Sequence, residues 1–404
     1  MAKKTLLNFE FLSLCVITFL ALCNVAAFYN FHLYLQHLGF LGKQAGFLIG
    51  LYSLTAMALY LFASKHITIN NSITCVFSGI VLVVCCGLAY LFVENFWLLG
   101  LVRIANGAGV FLVMASTMVM LIAIIPPQRT GMAFSLYSVA MLLPYSIMPA
   151  VSEMIRPYVD KPTFVYLGTS LLLLPAIKIM SNIRTRIKTQ LPDPDAGTDK
   201  EESPASLDSG ARRRNLMRKP VISILIVNAV YFTIFSALFY LFEGFAVQRG
   251  IQNAGLFFSA QMGVMITIRF IGGRIFDTVS KLILVIIAFL VTGAGFGLLL
   301  LIRDPAWILP IAAVFGMGMG LCVPPLNSLM YLVSQPKYRG YNANMMMLSI
   351  HFGSFVGPFA GAWIIDAGGY DSFLACAILI TVGAAGLFFL LNPEKYVQPI
   401  SVVL

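Results

Sequence analysis

The sequence predicts an all-α polytopic membrane protein with twelve transmembrane helices in two pseudo-symmetric six-helix bundles. Three observations carry this reading. The chain of 404 residues is 59% hydrophobic and only 10% charged, against about 25% charged in soluble domains, so most of its surface needs a solvent other than water. Its apolar residues gather in continuous runs of roughly the 20 residues that cross a bilayer core. Finally, the second half of the chain repeats the first at a fixed offset of 209 residues.

The runs fall at residues 11–36, 45–63, 72–93, 97–125, 130–155, 163–181, 220–247, 253–273, 281–302, 306–333, 340–366 and 370–392. They are continuous rather than alternating, which favours helices over barrel strands. Lys3 and Lys4 precede the first run as they would in a signal peptide, but its length and the spans that follow mark it as a retained helix. All seven cysteines lie inside the runs, with no CxxC or Cys/His spacing. Neither disulfides nor a metal site is implied, and no cofactor is expected.

The net charge of +10 is a topology signal, not a sign of a nucleic-acid partner. With a cytoplasmic N-terminus, nineteen lysines and arginines fall in inside segments and five in outside loops, leaving Arg103 and Arg269 in the membrane. This positive-inside bias places both termini in the cytoplasm. The expected location is a bacterial inner membrane.

Residues 182–219 break the apolar pattern with Pro, Asp, Ser, Glu and Gly, then Arg212–Arg214. Such a segment buries no apolar face and reads as a cytoplasmic linker between an N-terminal bundle (1–181) and a C-terminal bundle (220–404). Shifted by 209, Gly107 and Gly109 fall on Gly316 and Gly318, Pro149 on Pro358, Phe164 on Phe373, and "PPQRTG" (126–131) on "QPKYRG" (335–340). Chance alignment of apolar sequence seldom matches Gly, Pro and charged loops together. Parallel repeats of this kind characterise transporters with a midplane site.

Twelve spans, a six-plus-six repeat and a long central loop resemble the major facilitator superfamily. "GGRIFDTVSK" (272–281) is similar to the family's loop motif, with Gly273, Asp277 and Lys281 in place and Ser280 where a Gly is usual. The matching first-half loop, "ASKHITINNS", lacks the Asp. "GSFVGPFAG" (353–361) resembles an antiporter motif usually found in helix 5, and "RIANGAG" (103–109) resembles the helix 4 motif of proton-driven exporters. The resemblance implies a monomer working by rocker-switch alternating access. In it Gly273, Asp277 and Lys281, with Lys337 and Arg339, close the cytoplasmic gate.

The polar groups inside the spans are the candidate site. Arg103 is costly in lipid, and its repeat partner is Ala312, so the scaffold does not require a charge there. Two readings fit: the side chain snorkels to the outer interface, or it faces the cavity with Asn106 to meet an anionic group or tune a proton carrier. Arg269 pairs with Tyr60 in the repeat and suits a gate, snorkelling or substrate contact. Glu243 is the carboxylate clearly inside a span and the first candidate for proton coupling, unless it is a wetted rim residue. Glu10, Glu153 and Asp366 sit at span edges. His32 and His351 are the titratable imidazoles within spans, and each has a packing alternative. The resemblance makes helices 1, 4, 7 and 10 cavity-lining, which nominates Asn24, Tyr29, Asn30, Asn228, Tyr231, Tyr240 and Asn327. Helices 5, 8 and 11 add Tyr137, Tyr145, Gln261, Asn344 and His351. Aromatic walls with a few polar groups suit an amphipathic organic ligand.

No Walker-type loop and no catalytic cluster is present, so neither ATP-driven transport nor an enzyme is indicated. The expected activity is secondary export of a small amphipathic organic compound by proton antiport. The alternatives are proton-coupled import or facilitated passage of an organic anion and, in another class, a transporter-like sensor or scaffold.

Overall fold

A computed structural model describes residues 8–125, 130–190 and 209–397. Helices account for the fold, and no strand occurs among the described residues. We number the spans α1 (Phe9–His37), α2 (Gly42–Phe62), α3 (Ser72–Ala89), α4 (Phe96–Ile124), α5 (Thr130–Ile155), α6 (Thr163–Leu171 and Pro175–Gln190), α7 (Lys219–Gln248), α8 (Ala254–Ile271), α9 (Lys281–Leu301) and α10 (Ile308–Val333). The last continuous helix, Arg339–Leu391, holds two spans, α11 (339–368) and α12 (370–391), which part at Gly369. The bundle end bearing Gln190 and Ser209 is called the linker end, and the opposite one the far end.

Local sequence sets most of the interruptions. Pro175 has no amide to give and its ring excludes the preceding helical turn, so α6 tightens at Leu172–Leu174, where Leu173 and Leu174 donate to Ser170 and Leu171. The expected run 163–181 is therefore a broken helix that continues to Gln190. α1 carries a 3₁₀ turn at Ala27–Asn30 before resuming at Phe31. Residues expected as the loop between α8 and α9 include a short helix, Gly273–Thr278. A second short helix, Ser209–Leu216, lies in the segment expected as a polar linker. Side-chain oxygens of Asn8, Asn95 and Ser280 cap α1, α4 and α9, satisfying amides that a helix start leaves open.

The 209-residue offset reappears as matched contacts. A Cβ on Gly107 would lie 2.7 Å from the Tyr52 carbonyl oxygen, and one on Gly316 would lie 2.6 Å from that of Gln261. A Cβ on Gly109 would lie 2.9 Å from the Gly79 oxygen, and one on Gly318 would lie 2.9 Å from that of Ala288. Both members of each pair differ by 209. The glycines thus let α4 approach α2 and α3, and α10 approach α8 and α9, as small residues do in membrane helix pairs. Exposed apolar side chains such as Phe62, Trp97, Leu101, Trp363 and Leu390 cover the outer faces, where lipid replaces water.

The two halves meet along α2–α11, α5–α8, and the stretch 27–37 of α1 against α7. The seam is built twice by the same rule. Gly46 lies on Pro358 and Ala362, and Gly255 on Pro149 and Ala150. One turn deeper, Gly50 lies on Phe355, while Ser259 and Ser146 donate to each other's carbonyls. Gly46–Pro358 corresponds to Gly255–Pro149, and Gly50–Phe355 to Ser259–Ser146, each at the 209 offset. They belong to the far half of the bundle. The ring pair Tyr60–His351, 5.1 Å between centroids, lies closer to the linker end.

Gly369 turns the chain between α11 and α12 at φ 76° and ψ −179°, a region essentially closed to residues with a Cβ. Gly369→Ala is expected to cost about 1–3 kcal/mol. A lowered thermal unfolding midpoint in detergent with retained helical content checks this; an unchanged midpoint contradicts it.

Candidate functional site

In the N-terminal half the costly cation is enclosed. Arg103 is 1% exposed, so its side chain is not snorkelling. Its Nε donates to the Leu48 carbonyl at 3.3 Å and its Nη2 to that of Ile49 at 3.1 Å. Its guanidinium lies 4.6, 5.1 and 5.5 Å from the ring centroids of Phe28, Phe31 and Tyr52. Carbonyl dipoles and ring faces replace water around the charge. Asn106, one turn on, donates to Asn24 Oδ1 at 3.1 Å, and Asn24 donates to Ser170 Oγ at 2.9 Å. These groups tie α4, α1 and α6 together. Tyr166 donates to Asn30 at 2.9 Å, and Thr18 donates to Tyr137 at 3.0 Å.

The C-terminal half shows a corresponding strip without the cation. Asn228 donates to Ser349 Oγ at 2.8 Å, Tyr231 to the Met319 carbonyl at 3.1 Å, and Gln261 Nε2 to Met319 Sδ at 2.9 Å. Arg269 has a buried Nε without an acceptor, and Asn228 Oδ1 and Gln261 Oε1 are buried without donors. On α1 of the N-terminal half, His32 is buried with neither ring nitrogen partnered. Asn327 and Asn344 are exposed on α10 and α11.

Between the halves the rings converge. Tyr29 meets Phe258 at 6.4 Å, Tyr145 meets Phe239 at 5.0 Å and Phe235 at 6.0 Å, and Tyr240 meets Phe239 at 5.1 Å. Tyr231 stacks on Phe235 at 6.2 Å. Of the residues nominated from sequence, Tyr29, Tyr145, Tyr231 and Tyr240 are brought into one aromatic seam. Asn24 and Asn106 lie within the N-terminal half beside it.

Glu243 sits at the far end of this seam. It is 3% exposed. Its Oε1 accepts from Arg156 Nη1 at 3.2 Å across the two halves, and its Oε2 is buried without a donor. With Glu153, Arg156, Gln252 and Asn253 it lines a cleft of about 310 Å³.

Two further far-end carboxylates, seen in the sequence only as span-edge acids, cross the seam. Glu153, near the end of α5, shares a cleft with Asn253 and Ala254 at the start of α8. Asp366, near the end of α11, accepts from the Lys43 amide in the first turn of α2 at 2.7 Å. Two other ion pairs stay within a half: Lys161–Glu94 at 3.0 Å, and Arg249–Asp371.

At the linker end the expected gate is only partly visible. The Asp277 side chain lies outside the described residues, and Gly273 begins the short helix Gly273–Thr278. The Lys281 amide donates to Glu394 at 3.2 Å, and the Arg339 guanidinium lies 4.1 Å from the Tyr331 ring centroid. His351 is half-buried against Tyr60. Among the described residues no group of three or more His, Cys, Asp or Glu is placed to hold a metal.

A family model described as Major Facilitator Superfamily matches residues 14–347. Over 118 residues the chain is 30% identical to the multidrug resistance protein MdtH of Yersinia enterocolitica and 31% identical to that of Yersinia pestis. Each match spans 28% of this chain and 28% of the relative. The fold is similar to that of a bacterial homologue of the human lysosomal transporter Spinster, solved inward-facing and unoccupied, with TM-score 0.71, 13% identity and coverage of 99% and 100% of the two chains. A peptide transporter, POT, solved with sulfate, gives TM-score 0.78 at 10% identity over 96% of each chain.

Arg103→Lys is expected to destabilise the protein by about 1.5–3 kcal/mol, because an ammonium lacks the planar fork whose edge meets two carbonyls while its faces lie against rings. Thermal unfolding without any substrate measures this; wild-type stability would mean that the enclosure contributes nothing to the fold.

Proposed function

The chain belongs to the Major Facilitator Superfamily of membrane transporters, and we propose that it exports a small amphipathic organic compound in exchange for protons. It is a transporter and not an enzyme. The observation that carries the coupling is Glu243: a carboxylate buried in the wall of a cleft, paired to a cation of the other half, with one oxygen left free to take a proton. A group of this kind changes charge and partner together. Protonation removes the charge that holds Arg156 and weakens the seam there. Deprotonation restores the pair and favours the arrangement seen here, with the far end drawn together.

In this reading the far end faces the periplasm, both termini and the linker face the cytoplasm, and the protein works as a monomer in a bacterial inner membrane. The two bundles rock about the aromatic seam. A proton taken from the periplasm resides on Glu243 and leaves toward the linker end as substrate moves outward. Tyr29, Tyr145, Tyr231 and Tyr240, with Asn228, Gln261 and His351, offer the ligand ring faces and a few hydrogen-bonding groups. Arg103 acts on this site indirectly, by holding α1, α2 and α4. The partial likeness to multidrug resistance proteins supports the export reading.

A second reading, passage of an organic anion, is favoured by the buried, acceptor-free Nε of Arg269. Proteoliposomes with an imposed pH gradient separate the two, using ethidium as a cationic probe and benzoate as an anionic one. For antiport, ethidium flux against the proton gradient is expected, and Glu243→Gln is expected to lower that flux at least tenfold while leaving ethidium binding within about threefold. Flux indifferent to the gradient, with normal transport by Glu243→Gln, overturns the proposal. Benzoate flux lost in Arg269→Ala supports the second reading.

A further inference from the structure

We infer that the far end is closed by two reciprocal carboxylate latches, Glu153 on the start of α8 and Asp366 on the start of α2, and that both acids are positioning residues for the conformational cycle. The inference does not depend on the identity of the substrate or coupling ion.

A helix start presents amides with no partner inside the helix and the positive end of its dipole. Here each half supplies the anion that answers the other half's helix start. Asp366 leaves the C-terminal half to reach the Lys43 amide at 2.7 Å. Glu153, on the N-terminal half, stands in one cleft with Asn253 and Ala254 at the start of α8, and Gly255 lies against Pro149 and Ala150, one turn before Glu153. Gly42 stands directly under the Asp366 carboxylate, where a Cβ would collide with it.

The two latches are equivalent in space but not in sequence. The 209 offset pairs Glu153 with Ala362 and Asp366 with Pro157. Each helix start explains the displacement. α2 begins at Gly42, which corresponds to position 251, whereas α8 begins at Ala254. The first of these helices starts about one turn earlier, and the acid that meets it sits about one turn later on its own helix. The seam contacts Gly46–Pro358 and Gly255–Pro149 below them keep the offset. Two acids at non-equivalent positions therefore perform one task twice.

The bonds are also suited to repeated breaking. Each anion and each set of amides lies at a helix end, where water can satisfy both once the halves separate. Neither state strands a buried charge, so the latches bias the equilibrium without locking it.

The test is hydrogen–deuterium exchange by mass spectrometry on the full chain in nanodiscs. The variants are Glu153→Gln, Asp366→Asn, their combination, and Lys43→Pro. The last removes the amide that Asp366 accepts from while keeping the carboxylate, and proline is tolerated in a first helical turn. The double variant is expected to exchange at least threefold faster in peptides covering 38–46 and 249–257. It is also expected to exchange at least twofold more slowly in linker-end peptides covering 118–125 and 334–341, because alternating access closes one end as the other opens. Lys43→Pro should reproduce Asp366→Asn. Glu94→Gln, which breaks only the pair within the N-terminal half, should show no opposed change. Faster exchange at both ends would mean mere loosening and would overturn the inference, as would no change at either end. If the double variant does not fold, the opposed change is read from the single variants and Lys43→Pro, and its absence there is equally decisive.

Discussion

The close approach of two backbones at the seam is the constraint on which the rest depends. Gly46 against Pro358 and Gly255 against Pro149 leave no room for a side chain between the halves. Membrane helices gain little from excluding lipid from apolar surface, so contact distance and a few polar bonds decide whether they associate. With the glycines setting that distance, Glu153 reaches the start of α8, Asp366 reaches the start of α2, and Arg156 reaches Glu243. The aromatic seam follows from the same approach, since Tyr145 and Tyr29 meet rings of α7 and α8 only when α5 and α1 lie that near.

Both halves leave buried polar atoms open beside the seam, the C-terminal half at Asn228, Gln261 and Arg269 and the N-terminal half at His32 and Asn106. The halves differ in how they treat their intramembrane cations. Arg103 is held by two carbonyls and faced by three rings, whereas Arg269 keeps an open Nε. Glu243 joins the halves through Arg156 and keeps its Oε2 open.

Much of the architecture was legible in the sequence. The twelve runs needed only length and hydropathy, and the repeat was strong enough that the glycines of α4 and α10 fall on matched carbonyls of α2, α3, α8 and α9. The side-chain chemistry was less so. Arg103 was marked by its cost and by its lack of a repeat partner, but what holds it is backbone, and a carbonyl at Leu48 or Ile49 leaves no trace in residue identity. Glu243 stood out because a carboxylate is rare inside a span. Its cation, Arg156, lies just past the end of another helix and had no reason to be paired with it. Glu153 and Asp366 looked like ordinary span-edge acids. The offset that exposed the scaffold concealed their equivalence, because the starts of α2 and α8 differ by almost one turn. Pro175 was visible in the sixth run, but uninterrupted hydropathy hid the break it causes.

The 3₁₀ turn at Ala27–Asn30 has a mechanical consequence of its own. Below it α1 packs within the N-terminal half; beyond it the chain leans toward α7. Two of the rings that enclose Arg103, Phe28 and Phe31, lie in and just after that turn, and the guanidinium that grips them is anchored to carbonyls of α2. The guanidinium thus ties α4, α2 and the arm of α1 beyond the turn into one unit, and that arm is the part of α1 that meets the other half.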